Sequence, residues 1–154
     1  MASPGPHGAD DAIDYGPLAH WVAFHLRMAQ VVSFQAFARL AHGENLSPGR
    51  FAVLTLIGQN PGISQTALSR ANRNDKSTLT SALRGLVQKK LVNRQRAAGD
   101  KRLYRLTLTA AGEKLLRRLT ECAKQHDRNL MRVIGPRDYA HFMQILQKIA
   151  NEIG

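Results

Sequence analysis

Three helix starts of one design crowd into the thirty residues from Leu46 to Asp75, and directly after the third helix the apolar spacing changes from three-or-four residues to two. Leu46-Ser47-Pro48 sets a hydroxyl cap before a proline whose fixed φ and missing N–H suit the first helical turn, with Leu46 placed to staple onto Phe51. The buried face of this helix is Phe51, Leu54 and Ile57. Asn60-Pro61-Gly62 closes it. Ile63-Ser64 then repeats the device, Ser64 capping and Ile63 stapling to Leu68, in a short helix that stops near Asn72. Asn74 or Asp75 caps the third helix, in which Leu79, Leu83, Leu86 and Val87 fall at i, i+4, i+7 and i+8. After Leu91, Val92 to Arg96 and Leu103 to Leu108 alternate around Ala97-Ala98-Gly99-Asp100, which predicts a β-hairpin with a basic tip.

Longer helices flank this unit. From Pro17 an apolar stripe steps through Leu18, Val22, Leu26, Ala29, Ala36 and Leu40, predicting one continuous helix up to the break at Gly43 to Asn45. Thr109 caps a second long helix carrying Leu115, Leu116, Leu119, Cys122, Leu130, Met131 and Ile134, with Gly112 as a weak point in its first turn. Gly135-Pro136 ends it, and a last helix presents Tyr139, Phe142 or Met143, Leu146 and Ile149. The expected organisation is a mobile tail over residues 1–15 and a single domain over 16–154, mainly α with a small β-wing. Its central part is 46–109, and the helices at 17–42 and 110–154 serve dimerisation. No stretch approaches eighteen uninterrupted apolar residues, and Met1 to Asp14 lacks the basic and apolar segments of a signal peptide, so a cytoplasmic protein without membrane contact is expected.

The charge is strongly positive, at +11, and it is concentrated. Eleven lysines and arginines against two acids lie between Arg70 and Arg105, whereas the other 118 residues carry a balance of only +2. One segment therefore meets a polyanion, with nucleic acid ahead of an anionic membrane surface. Within it, the helix before the hairpin exposes Lys76, Ser77, Thr78, Thr80, Ser81, Arg84 and Gln88 opposite its leucines. Such a helix fits the B-DNA major groove, its N-terminal hydroxyls and cations reaching base edges, while a basic hairpin tip reaches the adjoining minor groove. Three short helices and a hairpin with these properties form a winged helix-turn-helix.

Other chemistries find little support. Cys122 stands alone and falls on an apolar stripe, where it reads as a small hydrophobe, and the six histidines lack ligand spacing, so no metal and no disulfide are expected. No nucleophile, base and orienting residue share a recognisable motif, so neither catalytic residues nor a cofactor are predicted.

The chain resembles the MarR family of bacterial transcriptional regulators from about Leu18 to Ile153. The likeness is carried by Leu46-Ser47-Pro48 to Leu56, by Asn60 to Leu68, by Asp75-Lys76-Ser77-Thr78-Leu79-Thr80, and by Gly99-Asp100-Lys101-Arg102 with Leu106 to Gly112. That resemblance implies a homodimer on double-stranded DNA, with recognition contacts from Lys76, Ser77, Thr78, Thr80 and Ser81. It makes Asp100 and Arg102 the ion pair of the wing, with Arg102 and Lys101 at the minor groove. Ser64 and Gln65 at the helix-turn-helix, with Arg73, Arg84 and Arg94 from the basic segment, complete the expected interface. Lys90 stands where the family usually has glycine.

Leu26-Arg27-Met28-Ala29-Gln30 and Phe34 to Phe37 resemble a branch tied to hydroxycinnamate and aromatic-acid catabolism, which implies a repressor released by an aromatic carboxylate or an acyl-CoA. Trp21, Phe24, His25, Arg27 and Phe51 are the candidate ligand residues, although aromatic side chains at such positions also serve core packing or a dimer contact. A ligand-independent or activating regulator, or an architectural protein coating nucleic acid without preference, fits the same charge pattern.

Alanine at Ser77, Thr78 or Ser81 should cost about 1 to 3 kcal/mol and relax base preference, whereas loss of Lys76, Arg84 or Arg94 should weaken all sequences alike and flatten the salt dependence by about one unit per contact. Arg102→Ala should lose most of the affinity with the fold intact. Binding isotherms over a salt series separate these outcomes, and a Lys76→Ala variant that changed preference alone would contradict the sorting.

Overall fold

The computed structural model describes residues 13–43, 46–73 and 76–153, with the side chains of residues 76 and 100–102 outside the description. Two compact units, Met1–Ser33 and Phe34–Gly154, divide the chain, and helix α1 (Val22–Leu40) contributes residues to both. The N-terminal caps expected at Asn74 or Asp75, and residues 1–12 of the tail, lie outside the described residues.

In the first unit the helix expected to run unbroken from Pro17 is interrupted. Gly16–His20 forms a 3-10 turn, Trp21 is extended at φ −92° and ψ 123°, and α1 starts after it. The hydrogen bonds Leu18 N–H to Tyr15 C=O at 3.1 Å and Trp21 N–H to Leu18 C=O at 3.2 Å span three residues rather than four. Pro17 suits the first turn of either helix type, so its presence does not distinguish them. A ring nitrogen of His25 lies 2.8 Å from the carbonyl of Ala19, a group left without an intrahelical donor where the turn ends.

The second unit contains α2 (Pro48–Gln59), β1 (Ile63–Ser64), α3 (Gln65–Asn72), α4 (Lys76–Gln88), β2 (Val92–Ala97), β3 (Asp100–Leu108), α5 (Ala110–Ile134) and α6 (Tyr139–Glu152). The hydroxyl caps form as the sequence indicates: Ser47 accepts from Arg50 N–H at 3.4 Å, Ser64 from Ala67 N–H at 3.1 Å and Thr109 from Gly112 N–H at 3.0 Å. Their helices converge on one core in which Val53, Leu54, Ile57, Leu68, Leu79, Leu83, Leu86, Leu106 and Leu119 are buried. Phe51 is half-buried against it, its ring 5.4 Å from that of Phe37. The hairpin gains a third strand that the sequence does not reveal: β1 pairs antiparallel with β3, Ile63 opposite Leu106 and Ser64 opposite Arg105, giving the order β1-β3-β2. Two residues are too few to show a period, and Ser64 serves both as strand residue and as helix cap.

The junction where α4, the wing and α5 meet reverses the sequence reading of one position and explains another. Lys90 occupies the left-handed region at φ +56°. Its N–H donates to Val87 C=O at 2.9 Å, and the N–H of Leu91 donates to Leu86 C=O at 2.9 Å, the paired bonds of a Schellman ending. The helix therefore ends as a glycine-capped helix would, with a lysine in the strained position. Gly112 is a requirement rather than a weakness, because a Cβ there would stand 2.0 Å from the carbonyl oxygen of Leu91. Thr109 bridges the same point, its hydroxyl donating to Lys90 C=O at 2.7 Å and its N–H to Leu91 C=O at 3.1 Å.

Lys90→Gly should stabilise the fold by about 1 kcal/mol by removing the left-handed strain. Gly112→Ala should destabilise it by about 3 kcal/mol through overpacking against backbone. Urea denaturation of the two variants checks both signs, and equal midpoints would contradict this account of the junction.

Candidate nucleic-acid interface

Helix α4 is positioned by its leucines. With Leu79, Leu83 and Leu86 sealed into the core, Ser77, Thr78, Thr80, Ser81 and Arg84 are left exposed on the opposite face. Ser77, Thr80, Ser81 and Arg84 line one open cleft of that face. Lys76 begins the helix, and its side chain lies outside the described residues.

The neighbouring elements hold the other expected contacts in different ways. Gln65, at the start of α3, donates from Nε2 to Thr80 Oγ1 at 3.4 Å, linking the two helices of the helix-turn-helix across their outer surface. Ser64 is half-buried, its hydroxyl engaged as the α3 cap. Arg73 is left-handed at φ 49° and ends α3, and its guanidinium donates to Ala150 C=O and, at 2.9 Å, to Asn151 Oδ1, both on the last turn of α6. This cation neutralises the negative end of a helix dipole and ties the α3–α4 turn to the C-terminal helix.

On the wing, Arg94 lies over Tyr104, its guanidinium carbon 3.8 Å from the ring centroid, and the guanidinium carbon of Arg96 stands 5.9 Å from the same centroid. Register explains the grouping, since Arg96 faces Tyr104 across the β2–β3 ladder while Arg94 sits two residues along. A hydrogen bond from Arg96, aided by the charges of Arg96 and Arg94, holds the Tyr104 phenol below the usual tyrosine range. Between this ring and the helices runs a cleft of about 450 Å³ lined by Gln65, Arg70, Thr80, Arg94 and Tyr104. Tyr104 was not singled out by sequence reasoning: counting outward from the Ala97–Asp100 turn sets Arg96 against position 101, and the register shift between Arg96 and Ala97 brings it opposite Tyr104 instead. Arg105 donates to Gly62 C=O at 3.1 Å and so braces β3 against the turn before β1. The side chains of Asp100, Lys101 and Arg102, expected as ion pair and minor-groove finger, lie outside the described residues; their backbone opens β3.

Within the first unit Phe24 is half-buried, its ring 5.6 Å from Tyr15 and 5.8 Å from His25, while Trp21 is 58% exposed and Arg27 is exposed. Within the second unit Phe51 belongs to the Phe37 cluster. Cys122 is half-buried against the core, with Sγ 3.4 Å from Leu40 C=O. Among the described residues, no three His, Cys, Asp or Glu side chains group as metal ligands, and no helix is long and apolar enough to cross a membrane.

Comparison with known proteins places this geometry in context. The model of the MarR family matches residues 46–104. The chain is 33% identical over 130 residues to the transcriptional regulator HosA of Escherichia coli, covering 84% of this chain and 95% of HosA. It is 29% identical over 136 residues to a putative transcriptional regulatory protein for the hcr operon of Thauera aromatica, covering 88% of this chain and 82% of that protein. The transcriptional repressor CouR, bound to a 23-mer DNA duplex, superposes with a TM-score of 0.81 over 90% of this chain and 99% of its own at 27% identity. CouR bound to p-coumaroyl-CoA superposes with a TM-score of 0.83 over 91% and 99% at 26% identity.

Tyr104→Leu should weaken duplex binding by on the order of twofold to fivefold by releasing Arg94, and Tyr104→Phe, which keeps the ring, should retain wild-type affinity. Equal affinities for all three proteins in a fluorescence titration would remove the platform role of the ring.

Proposed function

The chain belongs to the MarR family of DNA-binding transcriptional regulators, and from that premise we propose a dimeric repressor that leaves a pseudo-palindromic operator when an aromatic carboxylate or its CoA thioester binds. The observation that carries this reading is the outward face of α4, hydroxyls and Arg84, beside a wing on which Tyr104 preorganises Arg94. In this reading Ser77, Thr78 and Ser81 meet base edges, and Arg84 and Arg94 with Lys76, Lys101 and Arg102 meet phosphate or the minor groove. A two-fold axis then sets two such helices about 34 to 36 Å apart, one turn of DNA.

The helices over 110–154 and 17–42 are proposed to form the dimer. No side chain of α6 is fully buried, and Phe142, Met143 and Ile145 are exposed along it. Val133 near the end of α5 is 85% exposed, and in the first unit Val22 is 68% exposed. Apolar surface of this extent supports burial against a second copy. Repression and an effector of this class are supported by CouR, a repressor seen with a DNA duplex and with p-coumaroyl-CoA. The side chains proposed for the effector are Trp21, Phe24, His25, Arg27 and Phe51, aromatic surface for a ring and cationic or donor groups for a carboxylate.

Sedimentation at micromolar concentration should give a particle of twice the 17.0 kDa chain mass, and a monomer that still binds duplex tightly would contradict the shared-helix assembly. Calorimetry should find p-coumaroyl-CoA or the free acid binding unliganded protein more tightly than DNA-bound protein. Linkage requires DNA to be weakened by the same factor. Equal affinities in the two states would rule out derepression by that ligand.

A further inference from the structure

We infer that Arg50, on the first turn of α2, is a contact to the DNA backbone that fixes where α4 sits in the groove. This inference rests on the DNA-binding reading and adds to it a residue outside both the basic segment and the expected interface. The first turn of α2 and the outer face of α4 enclose a polar groove of about 390 Å³, lined by Ser47, Gly49, Arg50, Ser77, Thr78 and Ser81. Ser77, Ser81 and Gly85 follow one another at intervals of four, so they form a single row along α4. Arg50 lies across the end of that row: a Cβ on Gly85 would stand 3.5 Å from a guanidinium nitrogen and 3.6 Å from the guanidinium carbon. These are ordinary van der Waals distances, so the guanidinium rests against the surface of α4 at Gly85.

The chemistry of the groove selects its occupant. Arg50 is half-buried, and no carboxylate among the described residues pairs with it. A half-buried guanidinium beside the Ser47 hydroxyl suits a tetrahedral oxyanion, which accepts from both donors, and it leaves Ser77, Thr78 and Ser81 to the bases. When the N-terminal face of α4 faces base edges, the strand of phosphates bordering the major groove is the nearest anion to the next element, here α2. A phosphodiester bound by Arg50 carries no sequence information but sets the depth and register from which Ser77 and Ser81 read bases. The sequence conceals this because Arg50 lies twenty residues before Arg70, in a part of the chain whose charges nearly cancel.

The test uses the full-length protein and a duplex of about three helical turns, both as a random-sequence pool and as a sequence that the protein selects from that pool. Arg50→Ala should weaken both duplexes by the same factor, about tenfold, and lower the slope of log K against log salt by about 0.9. Arg50→Lys should keep the slope. Arg50→Gln, which preserves packing over Gly85 without the charge, should lose as much slope as the alanine variant. An unchanged slope in Arg50→Gln would overturn the assignment and leave Arg50 as a packing strut, as would a loss confined to the selected duplex. Failure of the wild-type protein to prefer the selected duplex would instead count against the operator reading, while the slopes of the variants still report on Arg50.

Discussion

The backbone of Leu91 is the point at which α4, the wing and α5 are joined. Its N–H closes α4 onto Leu86, its carbonyl accepts from Thr109 at the end of the wing, and that same carbonyl fills the space where any residue larger than glycine at 112 would put its Cβ. The next residue, Val92, opens β2 opposite Leu108. The end of α4, both strands of the wing and the start of α5 thus share one backbone contact. Backbone hydrogen bonds are short and directional, so the angle between α4 and the wing is set with little dependence on surface side chains. The proposed reading of DNA needs this, because in it base contacts from α4 and groove contacts from the wing have to be correct together.

The other end of α4 is held by charge. Arg73 reaches from the α3–α4 turn to the last turn of α6, and Gln65 links the start of α3 to Thr80. Arg105 adds a third brace, between β3 and the turn before β1. Basic residues in this segment therefore divide by task. Arg73 and Arg105 bond within the protein, whereas Arg84 faces outward and Arg94 lies over Tyr104. Counting charge singles out this segment but does not show that Arg73 and Arg105 are engaged within the protein.

What the sequence disclosed follows from the range of the interactions involved. Hydroxyl caps at Ser47, Ser64 and Thr109 act within three residues, and the leucine stripe of α4 repeats within one helix, so both are legible in a local window. The fold class and the relation to the MarR family follow from such signals taken in order. Features set by chain segments meeting at a distance were not legible. Gly112 read as a weak point in the first turn of its helix because its reason is the carbonyl of Leu91, twenty-one residues earlier. The strand at Ile63–Ser64 depends on a partner at Leu106 and Arg105, and the break at Trp21 follows a proline compatible with either kind of turn. Tyr104 and Arg50 gain their significance only from what lies across a ladder or across a helix row.

At the centre of this account is a paired, phased reading of DNA by α4 and the wing. Hydroxyl-radical footprinting on a selected duplex tests it most directly. The account predicts two protected patches on one face of the duplex, centred about one helical turn apart, each flanked by protection where a wing enters the minor groove. Continuous protection without helical phase, extending equally over unselected duplex, would contradict it.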